Sequence, residues 1–108
     1  MLQVVVVDVG HQINIPLKPE IVVGREDANS SIFPELDLTP YGALEKGVSR
    51  RHAKITHHDD ELTIEDIGSV NGTFLNGDQL TPYQQVPINS GDVLQLGALA
   101  LQVYFDLP

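Results

Sequence analysis

The sequence has no cysteine. Disulfides, thiol nucleophiles and thiolate metal sites are therefore all excluded. Positive charge is scarce: Lys and Arg total 6 against 15 Asp and Glu, a formal charge of −9. A chain this acidic repels nucleic acid and anionic lipid at long range, so the expectation is no nucleic-acid partner. No apolar run approaches the roughly 18 residues of a membrane-spanning helix. The first such run, Leu2 to Val7, is short and lacks the basic leader of a signal peptide. These absences set the expectation of a cytoplasmic protein without membrane insertion. Helix signals are missing too, because Pro and Gly interrupt most windows long enough to hold one. Neither a glycine-rich nucleotide loop nor a paired acid–base signature occurs, so no cofactor and no enzymatic activity are expected.

What is present is a period of 2. At 108 residues and 42% apolar, the chain has the size and composition of one globular domain over residues 1–108. Val4 to Val7 is uninterrupted and β-branched, which predicts a strand buried on both faces. Ile13 and Ile15 alternate with Gln12 and Asn14. Ile21–Val23, His52–Thr56, Leu62–Ile67, Thr73–Leu75, Val93–Leu96 and Leu99–Phe105 are further strand-like runs. Short runs at about ten-residue spacing, bounded by Gly, Pro, Asn and Asp, predict an all-β sandwich or barrel.

Residues 26–47 break this rhythm. A connection this long in a compact domain is usually functional or disordered. Ile32, Phe33, Leu36, Leu38, Tyr41 and Leu44 can dock on a core. The expectation is therefore an ordered loop with one short extended piece.

The three arginines, Arg25, Arg50 and Arg51, all sit at strand-like junctions, and Ser49 precedes the last two. If those junctions meet, they form one cationic pocket in a negative surround. Guanidinium forks and a hydroxyl suit a phosphate monoester, with its charge near −2 and three acceptor oxygens. The net charge does not forbid this, since screening acts over about 8 Å while pocket contacts are far shorter. The plainer alternative is surface ion pairing with neighbours such as Glu26 or Asp66, worth little. In an extended segment Arg50 and Arg51 alternate, so the expectation places Arg50 in the pocket and Arg51 on a solvated or ion-paired face.

The order Gly24-Arg25, then Ser49-Arg50-Arg51-His52, then Asn71-Gly72-Thr73-Phe74-Leu75-Asn76-Gly77 closely resembles the forkhead-associated (FHA) domain. The resemblance extends over nearly the whole chain. It implies a β-sandwich of about eleven mostly antiparallel strands with ligand loops at one end. It also implies recognition of phosphothreonine in a partner protein or peptide, for phosphorylation-dependent signalling. By that resemblance Arg25, Ser49 and Arg50 contact the phosphate. Asn71 binds the peptide backbone just after the phosphothreonine, and Gly24, His52, Gly72 and Thr73 support the site. Two departures stand out. Val70 occupies a position where many members carry a phosphate-contacting Ser or Thr, and the 26–47 loop is longer than usual. They motivate an alternative, a phosphate-independent FHA-like scaffold or self-association domain.

Two further groups compete for attention. Gly47-Val48-Ser49-Arg50-Arg51 fails the Gly-x-Ser-x-Gly pattern of a nucleophile elbow, so His52 reads as a loop brace. His57, His58, Asp59 and Asp60 are metal ligands by type, which gives a metal-dependent hydrolase as a third reading. Their place between two strand-like runs predicts a solvated hairpin turn and no metal site. Asn71-Gly72 and Asn76-Gly77 carry the same local signal for a type I′ turn, and only the resemblance separates their roles.

Overall fold

In the computed structural model, which describes residues 1–107, the chain folds into two packed β-sheets. The strands are β1 (Leu2–Val6), β2 (His11–Ile15), β3 (Glu20–Gly24), β4 (Leu36–Asp37), β5 (Arg51–His58), β6 (Glu61–Asp66), β7 (Thr73–Leu75), β8 (Asp78–Gln79), β9 (Val86–Ile88), β10 (Val93–Leu96) and β11 (Leu99–Tyr104). One sheet has the order β2-β1-β11-β10-β7-β8, the other β4-β3-β5-β6-β9. Strand pairs are antiparallel apart from β3 with β4. The all-β sandwich of eleven strands thus matches the expected fold class. Helical structure among the described residues is limited to two single 3₁₀ turns, Ala28–Ser30 and Thr39–Tyr41. No helix there is long and apolar enough to cross a membrane.

Inward-facing residues of the two sheets make one apolar core. Leu2, Val4 and Val6 of β1 meet Leu99, Leu101 and Val103 of β11 on one side, and Ile21, Ile55 and Ile64 line the other. Burial alternates along β1, β6 and β11. The Val4–Val7 run is no exception, contrary to the two-faced burial its composition suggests: Val5 is half-buried and Val7 is exposed in the following turn. A two-layer sandwich has a single inner face per sheet, so only every second valine can be covered.

The long 26–47 connection is ordered, and β4 is its one extended piece. Leu36 pairs in register with Val23, and Leu36, Leu38 and Ala43 are buried in the core. Asp37 Oδ1 accepts from the Glu26 and Thr39 amides, each at 3.0 Å, and from the Thr39 hydroxyl at 2.6 Å. Phe33 and Leu44, expected to dock, are instead 61% and 65% exposed. They lie outside the short β4 segment that meets the inner face.

One close approach fixes the sandwich end where this loop begins. The β3–β5 register shifts between Val23 and Gly24, bringing Gly24 against Arg51. A Cβ on Gly24 would overlap the Arg50 carbonyl oxygen. Only glycine permits this contact, because backbone is the obstacle and cannot swing away. Gly24→Ala is expected to lower stability by about 1–3 kcal/mol through overpacking, read as a lower denaturant midpoint at unchanged m-value. An unchanged midpoint would show that the 49–51 backbone is free to move aside.

Candidate functional site

Four strand ends meet at one end of the sandwich: the end of β3, the start of β5, the end of β6 and the start of β7. Arg25, immediately after β3, is held there twice. Its amide donates to the Arg50 carbonyl at 3.2 Å, and its Nε donates to the Val48 carbonyl at 2.9 Å. The two terminal nitrogens remain for a ligand, and no ion pair engages Arg25 among the described residues.

Ser49 lies across from it. Its hydroxyl oxygen accepts from the Val70 amide at 3.1 Å, which leaves the hydroxyl proton free to donate. Arg25, Ser49, Arg50 and Arg51 together line one open cleft of about 340 Å³, with Ile32, Gly68 and Val70. Arg51 reaches the cleft as well as Arg50, although strand alternation should part them. The reason is that β5 begins at Arg51, so Arg50 sits in the bend before it and obeys no alternation. Arg50 Nη1 bonds the Asp27 carboxylate at 2.9 Å and the Ser30 hydroxyl at 2.8 Å. The arginine ion pair therefore forms with Asp27, and with neither Glu26 nor Asp66. The Arg50 guanidinium holds the Asp27 carboxyl below the usual carboxylate range.

His52 is fully buried and bridges two loops. Its Nδ1 accepts from the Ser49 amide at 3.0 Å, and its Nε2 lies 2.8 Å from the Gly72 carbonyl oxygen. Both bonds form together only in the neutral Nε2–H tautomer. Burial pulls its pKa below the ordinary value, against the opposing pull of the Gly72 carbonyl and Asp66.

The second loop is organised by Asp66, which sequence reasoning considered only as a surface ion partner. Asp66 is buried. Its Oδ1 accepts from the amides of Gly68 at 2.9 Å and Ser69 at 3.1 Å. Its Oδ2 accepts from the hydroxyls of Ser69 and Thr73. Burial raises its pKa, but these hydrogen bonds outweigh it and hold the carboxyl below its usual range. Thr73 is thus buried under the loop, and Ser69 is consumed within it, its Oγ also accepting from the Gly72 amide at 2.9 Å. The signal was an Asp followed by Gly and Ser at +2 and +3, the pattern of an Asx turn.

Asn71 is exposed, and its Nδ2 donates to the Gly47 carbonyl at 3.0 Å. It does not line the arginine cleft. The two Asn-Gly pairs prove different. Asn76 and Gly77 both have positive φ, 50° and 92°, as a type I′ turn between β7 and β8 requires. At Asn71-Gly72 only the glycine does, at 90°, so this pair forms another kind of turn. Val70 is 86% exposed at the cleft rim, with its amide on Ser49.

A larger cleft, about 450 Å³, opens at the opposite end beside the β5–β6 hairpin, where His58, Asp59, Asp60 and Glu61 meet Pro87–Ser90. Asp59 turns the chain with φ 56°. His57 and His58 occupy successive strand positions and face opposite ways. Among the described residues, no three His, Asp or Glu side chains gather as a metal site would need.

Comparison with known proteins bears on this arrangement. A family model described as "FHA domain" matches residues 21–97. The probable E3 ubiquitin-protein ligase dma1 of Schizosaccharomyces pombe is 47% identical over 57 residues, covering 49% of this chain and 21% of that protein. The oxoglutarate dehydrogenase inhibitor of Corynebacterium diphtheriae is 39% identical over 84 residues, covering 78% of this chain and 50% of that protein. The chain spans half or less of these relatives. In three dimensions it resembles the N-terminal FHA domain of Saccharomyces cerevisiae Rad53p, solved in complex with a phosphothreonine peptide, with a TM-score of 0.79, 19% identity and coverage of 97% and 93%.

The His52 brace makes stability depend on pH. The folded pKa lies below the unfolded value of about 6.5. Below pH 6.5 the unfolded chain therefore takes up a proton that the folded chain resists. The stabilisation is complete above that pH and is lost as pH falls beneath it, at no more than about 1.4 kcal/mol per pH unit. Urea unfolding between pH 8 and 5 should show this decline, and His52→Gln should start lower and decline less. Equal slopes in both proteins would remove His52 as the cause.

Proposed function

Since the chain belongs to the FHA domain family, we propose that it is a non-catalytic module that recognises phosphothreonine in a partner protein. FHA domains are interaction modules. The observation that carries the reading for this chain is the convergence of Arg25, Ser49 and Arg50 on one cleft across more than twenty residues of sequence. Arg25 offers two terminal nitrogens, Ser49 a hydroxyl proton and Arg50 the nitrogens that Asp27 does not engage. These donors match the three oxygens of a phosphate monoester. Ile32 and Val70 on the same cleft offer apolar surface to a threonine methyl group. Asn71, with Nδ2 committed to Gly47, keeps its Oδ1 to accept a peptide amide beyond the phosphorylated residue. Gly24, His52, Gly72 and Thr73 support the two loops and do not touch the ligand.

A second reading has its own observation. Asp27 already neutralises Arg50, and Val70 supplies no hydroxyl. A scaffold that binds its partner without phosphate is consistent with both.

One titration separates the two. A phosphothreonine peptide pool should bind, and its dephosphorylated twin should bind at least ten-fold more weakly. Arg25→Ala should lose about ten- to hundred-fold in affinity, the equivalent of one charge-assisted bond. Equal binding of both pools would end the phosphate reading. A partner bound undiminished by Arg25→Ala would favour the scaffold.

A further inference from the structure

A second cleft adjoins the arginine cleft. It holds about 240 Å³ and is walled by Val22, Ile32, Phe33, Pro34, Glu35 and Arg51, with Ser31 at its edge. Ile32 and Arg51 line both clefts, so the two are neighbours. Its volume falls below the roughly 300–1,000 Å³ of small-molecule sites and suits a single side chain. Four of its walls are apolar.

The segment that builds it is held firmly while leaving Phe33 uncovered. Asp27 and Ile32 pair as an isolated antiparallel bridge, with Asp27 N–H on the Ile32 carbonyl and Ile32 N–H on the Asp27 carbonyl, both at 2.9 Å. The Glu35 carboxylate accepts from the Val22 amide at 2.9 Å, which commits that carboxylate to the strand edge. β4 follows at once. Phe33 is thus 61% exposed on a backbone fixed at both sides. Arg51 is exposed and has no ion pair among the described residues.

We propose that this cleft receives an apolar side chain from the one to three residues that precede the phosphothreonine. The proposal rests on the phosphothreonine reading and adds a specificity pocket built by the long 26–47 segment. Direction follows from Asn71. That residue, assigned to backbone after the phosphothreonine, is tied to Gly47 and lines neither cleft. The Ile32–Phe33 side is left for the chain before it. Extended peptide advances about 3.3 Å per residue, so clefts that share walls are bridged within a few residues. Four apolar walls, with Phe33 uncovered among them, favour an apolar occupant, and Arg51, unpaired among the described residues, makes an acidic residue its one competitor.

The test uses phosphothreonine peptides identical after the phosphorylated residue and differing before it. One carries three alanines. Others carry leucine, phenylalanine or aspartate at one of those three positions. The wild-type chain should prefer a leucine or phenylalanine peptide over the alanine peptide by about five- to ten-fold, a fraction of full side-chain burial. Phe33→Ser should cut that preference below about two-fold and leave the alanine peptide's affinity unchanged. Equal affinity for all peptides overturns the proposal, as does a Phe33→Ser variant that keeps the preference, or a preference for aspartate. The alanine peptide separates the two levels of failure. If it binds without upstream preference, only this pocket falls; if no phosphopeptide binds, the phosphothreonine reading falls with it.

Discussion

The site depends on one buried imidazole. His52, the second residue of β5, reaches from the Ser49 amide to the Gly72 carbonyl, so it joins the loop bearing Ser49 and Arg50 to the loop bearing Asn71. Without a neutral ring at that position the part-buried Ser49 amide loses its acceptor, at a cost of about 1–3 kcal/mol. The rest of the support radiates from it. Asp66 folds the second loop by four hydrogen bonds, the Gly97 amide donates to the Gly72 carbonyl at 3.0 Å, and the Ala98 amide donates to the Lys46 carbonyl at 2.8 Å. The side chains of the arginine cleft thus stand on backbone fixed from beneath, which would limit the ordering cost of binding a ligand there.

Electrostatics at this end work by local contrast. The chain carries −9 overall, yet its three arginines share a single cleft. Asp27 partly balances them by pairing with Arg50, where it orients the guanidinium and also competes with any incoming anion. A dianion brings more charge and more acceptors than one carboxylate, so it can displace or share the pair. A singly charged or neutral side chain has less to offer. On the phosphothreonine reading, the Asp27–Arg50 pair would therefore separate phosphorylated from unmodified ligands as much as it opposes binding.

Much of this was legible in the sequence, for physical reasons that also mark the limits. Period-2 alternation found the strands of the core because an apolar inner face imposes it. It could not find β4 or β8, two residues each, or the three-residue β9, which carry too few positions to show a period. Identical Asn-Gly dipeptides gave one local signal for two different turns, and only tertiary contact with Gly47 separates Asn71 from Asn76. Arg51 is exposed as expected but also lines the cleft with Arg50, because alternation does not reach across the strand boundary between them. Phe33 was read as core by its type, and nothing local shows that the chain holds it outside. Asp66 carried an Asx-turn signal that its reading as a surface ion partner passed over, and nothing local showed its burial.

The parallel pairing of β4 with β3 also changes what the 26–47 segment is. A surface insertion can ordinarily be shortened at little cost. Here the segment supplies the outermost strand of its sheet and three buried core residues, Leu36, Leu38 and Ala43. Trimming it to a simple turn would bare the β3 backbone as a raw sheet edge beside uncovered apolar side chains, the arrangement that recruits foreign strands and seeds aggregation. Engineering by loop exchange would thus meet a solubility barrier before it altered any preference for ligand.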